Sequence, residues 1–170
     1  VRAFGKTSIG VCYALGLSDM VLATIIPSNA ARSGGVILPI TRSIAELYGS
    51  RPGESARRLG AFLMVGVYQC VIVSAAMFYT GQASNPLAAR MAGNFGHTVT
   101  WMSWFMAAVV PGLLSMAIVP QIVRRIYPPE VTRTPEAAAF ASKELHTMGP
   151  MSAQEKILAV IFVSVCLTWA

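Results

Sequence analysis

The chain has 170 residues, of which 55% are hydrophobic and only 12% charged, and its mean hydropathy is +0.59. A soluble domain usually carries about 25% charged residues, so the composition excludes an ordinary water-soluble surface, and the wealth of apolar residues excludes disorder. The net charge of +6 does not indicate a nucleic-acid partner, because the basic residues lie mainly between apolar runs, beside the cytoplasmic face of a membrane.

Residues 1–50 are predicted to form a re-entrant helical hairpin with a binding tip. One apolar arm runs from Ser8 to Ile26, the polar stretch 27–35 forms the turn, and a second arm carries Arg42 and Glu46. Neither arm has the length and flanks of a full span, and irregular backbone at membrane depth persists only where protein or a water-filled cavity satisfies its amides. Arg42 and Glu46, four residues apart, are expected to form a structural ion pair.

Residues 51–98 are predicted to contain a transmembrane helix that breaks near the middle of the membrane. The run from Leu59 to Tyr79 has no charged residue, and a helix of that length is about 31 Å long, which matches the hydrocarbon core. The next stretch, QASNPLAARMAG (82–93), contains a proline, which removes a backbone donor and biases the residue before it away from helix. We therefore expect a break followed by a short second half.

The rest of the chain is predicted to contain one full span and part of another. Residues 99–126 form a transmembrane helix that begins at an interfacial pair, Trp101 and Trp104. Residues 127–156 form a cytoplasmic connector with the modest helix PEAAAFASKELHTM, and residues 157–170 begin a truncated span. The two basic loops, which precede the first full span and follow the second, are both expected on the cytoplasmic side. We expect the chain to be a piece of a larger protein.

The strongest candidate site is the polar stretch 28–35 at the hairpin tip. The ends of interrupted helices offer amides to an anion and carbonyls to a cation such as sodium, as in many secondary transporters, although a tight helix–helix turn is the alternative. The Thr24 hydroxyl is expected either to coordinate a cation or to bond back to its own helix. Arg32 is expected to pair with a substrate carboxylate, to cap the hairpin, or to pair internally with Asp19.

The helix break offers a second group of polar residues. Their amides and hydroxyls can coordinate sodium or donate to a carboxylate without burying a net charge, and they can equally satisfy the backbone groups that the break frees. The two roles are compatible, and the residues concerned are Thr80, Gly81, Gln82, Ser84 and Asn85.

Three stretches resemble the divalent anion:sodium symporter family, in particular the branch with citrate/succinate antiporters and plastid 2-oxoglutarate/malate translocators. They are SNAARSGGVILPITRSIAELYGS (28–50), YTGQASNPLAARMAG (79–93) and MGPMSAQEK (148–156). The resemblance covers nearly the whole chain, and the first stretch is the most specific. It implies an all-α membrane protein in which a re-entrant hairpin, a broken helix and further spans form half of an inverted-repeat transporter.

The family's hairpin tip holds a Ser-Asn-Thr motif that binds sodium and the substrate carboxylate. Ser28 and Asn29 match its first two positions, whereas Ala30 replaces the threonine and removes one hydroxyl. The resemblance and the local pattern together predict sodium ligands at Thr24, Ser28, Asn29 and Gly81, with no other cofactor. They predict substrate contacts at Asn29, Ala30, Arg32, Gln82 and Asn85.

The expected function of the whole protein is secondary active transport of di- or tricarboxylates, such as malate, succinate, 2-oxoglutarate and citrate. The resemblance implies an elevator-type homodimer in a bacterial inner membrane or, in a plant, the plastid inner envelope, working by sodium symport or anion exchange. The alternative is a membrane scaffold or partner subunit without transport activity. An enzyme is not expected, because the sequence has no arrangement typical of a nucleophile with its base or of a catalytic metal.

Overall fold

The computed structural model describes residues 4–169, and this part of the chain is helical, with one isolated bridge between Thr7 and Arg133 as its only β pairing. After a first helix at Ser8–Ala23, a continuous helical segment runs over residues 29–47 and includes a π-helical turn at Ser33–Ile37. The helices are α1 (Ser8–Ala23), α2 (Asn29–Arg32), α3 (Leu38–Leu47), α4 (Gly60–Met77), α5 (Ser84–Gly93), α6 (Trp101–Ile126), α7 (Pro135–Met148) and α8 (Ala153–Trp169), with a 3-10 turn at Ala56–Arg58. The expected all-α class is confirmed.

Two of these helices, α4 and α6, are long and apolar enough to cross a membrane, and α1 is a shorter apolar helix. The α6 helix begins with a capping box, in which Thr100 and Ser103 satisfy each other's backbone donors. It continues through Pro111 and Pro120, as membrane helices can when their surroundings satisfy the freed carbonyls.

Both ends of the hairpin lie on one side of the helix bundle. The Ser8 hydroxyl at the start of α1 donates to the Val131 carbonyl over 2.6 Å, and the Val131 amide donates to the Arg58 carbonyl just before α4 over 2.9 Å. At the end of α3, the Tyr48 hydroxyl donates to Glu136 over 2.7 Å. The first residue of α1 and the residue after α3 therefore both lie where the two basic loops meet.

The turn of the hairpin is shorter than the polar stretch predicts. Only residues 24–28 are non-helical, because Ser28 caps the next helix by accepting a hydrogen bond from the Ala31 amide over 3.2 Å. The prediction that the turn extends to Gly35 is wrong: Asn29 starts α2, and Gly34 and Gly35 lie in the π-helical turn. Most residues of the polar stretch 27–35 are exposed, and Ser28 is polar because it caps α2.

The centre of the bundle is α4, which packs against α1, α3 and α6. Its approach to α1 is close: a Cβ built at Gly66 would lie 2.7 Å from the Cys12 Sγ atom, and one at Gly16 would lie 2.9 Å from that of Cys70. Small residues allow such approaches between membrane helices, where dispersion contacts replace the hydrophobic effect. The buried cluster at this junction includes Val11, Leu15, Ile37, Ile44, Leu59, Phe62, Leu63, Val67 and Val71.

The end of α4 lies opposite the middle of α6. A Cβ built at Gly112 would lie 2.9 Å from the Met77 Sδ atom, and Gly112 is near the centre of the 26-residue α6. Because α6 is about 39 Å long, the interruption after Met77 falls well inside the thickness that α6 spans. The Trp104 indole donates to the Ala76 carbonyl over 3.0 Å and satisfies one of the last carbonyls of α4.

The close approach at Gly66 predicts a specific stability loss. In the full-length protein, Gly66→Ala should lower the melting temperature in detergent, because the new methyl group forces α1 away from α4 and overpacking costs about 1–3 kcal/mol. The matched control is Gly93→Ala, where a Cβ meets no atom within 4 Å. Equal melting temperatures for the two variants would contradict the close packing.

The contact between Tyr48 and Glu136 predicts a pH dependence outside the membrane. Burial and the hydrogen bond to Glu136 raise the pKa of Tyr48 to about 12, and the same hydrogen bond lowers the pKa of Glu136 below its usual 4.5. A lowered carboxyl pKa stabilises the fold above pH 4.5, and that contribution is lost as the pH falls through the folded-state value. The stability advantage of the wild type over Glu136→Gln should therefore shrink on acidification, measured by melting temperature against pH; a constant difference would contradict it.

Candidate functional site

The hairpin turn and the helix break meet at Arg32, which is completely buried. Its Nη1 atom donates to the Ile26 carbonyl in the hairpin turn and to the Gly81 carbonyl in the break, each over 2.8 Å. One guanidinium therefore holds two interrupted stretches of backbone together. Both carbonyls are ones that no regular helix satisfies.

The charge of Arg32 is balanced by Asp19 on α1. The Nε atom of Arg32 donates to Asp19 Oδ1 over 3.1 Å, and the side chains of both residues are fully buried. The other carboxylate oxygen accepts a hydrogen bond from the Ser74 hydroxyl on α4. A buried charge without a partner costs several kcal/mol, so this pair is what allows Arg32 to lie inside the bundle.

Three buried polar atoms at this junction have no hydrogen-bond partner within the described chain. They are Asn29 Oδ1 in the first turn of α2, Thr80 Oγ1 in the break, and Arg32 Nη2. Buried polar atoms are nearly always paired in native structures, so each exception calls for an explanation. The two oxygens are groups that a sodium ion can bind, and the guanidinium nitrogen can donate to a carboxylate oxygen.

The residues predicted to bind sodium lie at or near this junction, with different local partners. Thr24 is exposed and its hydroxyl donates to the Val21 carbonyl over 2.7 Å, so the back-bonded state is the one that the structure contains. Ser28 is the helix cap described above. Gly81 is buried and its amide donates to the Phe78 carbonyl over 2.8 Å. Their role as cation ligands stays a prediction.

The predicted substrate residues in the break have structural partners. Asn85 Nδ2 donates to the carbonyls of Ala75 and Phe78 at the end of α4, over 2.8 and 2.9 Å. Its side-chain oxygen accepts from Gln82 Nε2 over 3.1 Å. Asn85 thus satisfies backbone groups freed by the break, which is one of the two roles expected for these residues.

The remaining predicted contacts lie on α2. Ala30 is exposed in its first turn. Arg32 forms the internal pair with Asp19 that was one of its three expected roles, and it contacts the turn as well. Its contact with a substrate carboxylate stays a prediction, and the available atom is Nη2.

The exposed pair of Arg42 and Glu46 on α3 is confirmed, with Nε and Oε1 2.8 Å apart. Sequence reasoning did not select Ser74, because a serine in an apolar helix gives no signal until its neighbours are known. Asp19 did give a signal in the sequence, since a carboxylate in an apolar arm predicts an interior partner.

The comparisons with known proteins agree with this architecture. The family model described as "Sodium:sulfate symporter transmembrane region" matches residues 1–170. The chain is 43% identical to a putative malate transporter, YflS, of Bacillus subtilis over 171 residues, which cover 99% of this chain and 36% of that protein. It is 41% identical to the chloroplastic dicarboxylate transporter 1 of Spinacia oleracea, covering 99% of this chain and 30% of that protein.

A third relative is the inner membrane protein YbhI of Escherichia coli, which is 37% identical and matches 99% of the chain over 35% of its own length. The chain thus spans about a third of the length of these curated relatives. The family is described as a symporter transmembrane region, two of these relatives are named as transporters and the third as an inner membrane protein, which agrees with the expected membrane location and not with an enzyme. Because the family model matches from the first residue to the last, the resemblance is confirmed, and the chain belongs to the sodium:sulfate symporter transmembrane family.

Proposed function

We propose that the whole protein transports di- or tricarboxylates across a bacterial inner membrane or a plastid envelope, and that this chain supplies part of its binding site. The observation that carries the proposal is the junction of the hairpin turn and the helix break, where Asn29, Thr80 and Arg32 each retain an unpaired buried polar atom. The relatives named as malate and dicarboxylate transporters support the substrate class.

The proposed cation site lies among oxygen atoms. Sodium is a hard cation that prefers oxygen ligands, and the unpaired oxygens of Asn29 and Thr80 lie in the two segments that Arg32 joins. Thr24, Ser28 and Gly81 complete the proposed ligand set. No carboxylate belongs to this set, so the affinity for a monovalent cation depends on oxygen dipoles and on the bound substrate anion.

The proposed anion site uses donors near the same tip. Asn29 and Gln82 carry amide groups, Arg32 offers Nη2, and Asn85 orients Gln82 through their hydrogen bond. Ala30 contributes only backbone, because it lacks the hydroxyl of the family motif. Since Asp19 neutralises Arg32, a dicarboxylate here needs a further positive charge, which a bound sodium or the rest of the protein would supply.

In the resemblance, the whole protein is a homodimer in membrane lipid whose hairpin and broken helix move together in an elevator-like displacement. The tight tie between the hairpin turn and the break through Arg32 supports their motion as one unit. The re-entrant placement is supported by the position of both hairpin ends on one side of the bundle.

Removal of the Asn29 side chain tests the site in the full-length protein. Asn29→Ala should reduce dicarboxylate uptake by about tenfold or more, because a hydrogen bond to a charged group contributes about 1.5–3 kcal/mol, while membrane insertion stays intact. Asn94→Ala, an exposed asparagine at the end of α5, is the matched control and should transport normally. Equal uptake by the two variants would contradict the site, and a scaffold would show no solute flux in either.

The mode of transport can be tested in proteoliposomes. The full-length protein in proteoliposomes should take up labelled malate, succinate, 2-oxoglutarate or citrate, tested with and without a sodium gradient and with and without internal dicarboxylate. Uptake driven by sodium assigns the oxygen cluster at Asn29 and Thr80 to the cation. Uptake that requires internal dicarboxylate assigns exchange, with Arg32 as the main charged group. The absence of uptake of all four anions would contradict the proposed substrate class.

A further inference from the structure

Asp19 lies outside the proposed ligand set, yet it connects three elements around the site. Its two carboxylate oxygens have different partners: Oδ1 accepts from Arg32 on α2, and Oδ2 accepts from Ser74 on α4. All three residues are buried, with exposures of 0% for each. The carboxylate itself belongs to α1, so the first arm of the hairpin, the second arm and α4 converge on one group.

The connection continues from Arg32 to the site. The guanidinium that Asp19 holds reaches the carbonyls of Ile26 and Gly81, and the unpaired atoms of Asn29 and Thr80 lie within three residues of these contacts. The orientation of the guanidinium therefore sets the gap between the hairpin turn and the break. Because the guanidinium is planar, the direction of its Nε–H toward Asp19 is fixed relative to the directions of the Nη1 donors toward the two carbonyls.

Stability alone does not explain such a pair. Burying two charges costs about as much as their attraction returns, and replacing a buried ion pair by apolar residues of similar volume is often neutral or stabilising. A hydrophobic pair could close the space between α1 and α2, but it could not donate to the two carbonyls. The polar pair is thus suited to fixing a geometry that apolar packing leaves free.

We propose that Asp19, assisted by Ser74, is a positioning residue that orients Arg32 and thereby holds the hairpin turn and the helix break at the separation that the ligand requires. The inference rests on the proposed transport site for its functional consequence, although the geometric consequence can be measured without transport. Asp19 acts through Arg32 and does not itself contact the ligand.

The decisive variant is the double substitution Asp19→Leu with Arg32→Met in the full-length protein. It removes both buried charges together and so leaves no unpaired buried charge, but the carbonyls of Ile26 and Gly81 lose their donor, so the melting temperature in detergent should fall moderately. The ties to Ile26 and Gly81 are lost together with the Nη2 donor proposed for the anion, so the KM for the dicarboxylate that the wild type transports should rise by about ten- to hundredfold, and the Ser74→Ala variant below isolates the positioning part. A stable variant with an unchanged KM would overturn the proposal.

A second variant tests Asp19 without removing a charge. Ser74→Ala keeps the ion pair and deletes one hydrogen bond to the carboxylate, so it should raise the KM severalfold and lower the melting temperature modestly, because one buried carboxylate oxygen loses its partner. If the double variant fails to fold, this substitution decides the matter: a KM equal to that of the wild type overturns the proposal, and a raised KM in a stable protein supports it. The matched control is Thr147→Ala, which removes an exposed hydroxyl on α7. It should leave both the KM and the melting temperature unchanged.

A spectroscopic measurement separates failure of this proposal from failure of the proposed transport function. Spin labels at Ala30→Cys in α2, next to the turn, and at Ala83→Cys in the break, both exposed positions, report the separation of the turn and the break in a background without native cysteines. The distance distribution should be narrow in the otherwise wild-type protein and clearly broader or shifted in the double variant and in Ser74→Ala. If the wild type transports no dicarboxylate but the distributions differ, only the transport proposal fails; identical distributions overturn the positioning role.

Discussion

The structure depends on one constraint: backbone groups that leave a helix inside an apolar bundle must find partners there. In lipid, an unsatisfied N–H or carbonyl group costs several kcal/mol, and this chain leaves the helical conformation at residues 24–28 and again between α4 and α5. Side chains meet much of this requirement, and the Trp104 indole, which donates to the Ala76 carbonyl, is one of them. Arg32 donates to the carbonyls of Ile26 and Gly81, and Asn85 donates to those of Ala75 and Phe78.

The satisfaction of these carbonyls has an electrostatic consequence. A guanidinium has five N–H donors and can serve two backbone segments and a carboxylate at once, but it brings a charge that the interior does not tolerate alone. Asp19 supplies the balancing charge from the neighbouring arm, and Ser74 occupies the second carboxylate oxygen. The result is a neutral, fully buried network whose polar atoms are oriented before any ligand arrives.

The packing around the network explains why the interruptions can lie next to each other. Glycines at the contacts of α4 with α1 and α6 bring the helices close, and the contact of Met77 with Gly112 sets the end of α4 opposite the middle of α6. On the other side of the bundle, hydrogen bonds from Ser8 and Val131 tie the entry of the hairpin to the loop before α4. A hairpin anchored at one end and braced at its tip presents Asn29 beside the break.

The sequence by itself determined the features that depend on local composition and spacing. Long uncharged runs give the two helices that can span a membrane, the four-residue spacing gives the pair of Arg42 and Glu46, and the stretches around 28–50 and 79–93 give the family. These properties are visible without a fold because their causes lie within a few residues of one another.

The tertiary structure decided which polar side chains donate hydrogen bonds to backbone carbonyls and which keep an unpaired buried polar atom. The partners of Asp19 lie 13 and 55 residues away, and the contact of Arg32 with Gly81 spans 49, so no local pattern specifies them. The hairpin turn is shorter than the sequence predicts for a related reason. Serine and glycine are typical of turns, but here the Ser28 cap starts a helix that continues through the polar stretch. The packing of Ile37 and Ile44 in the core stabilises that helix. Burial of this apolar face outweighs the weak local preference of serine and glycine for turns.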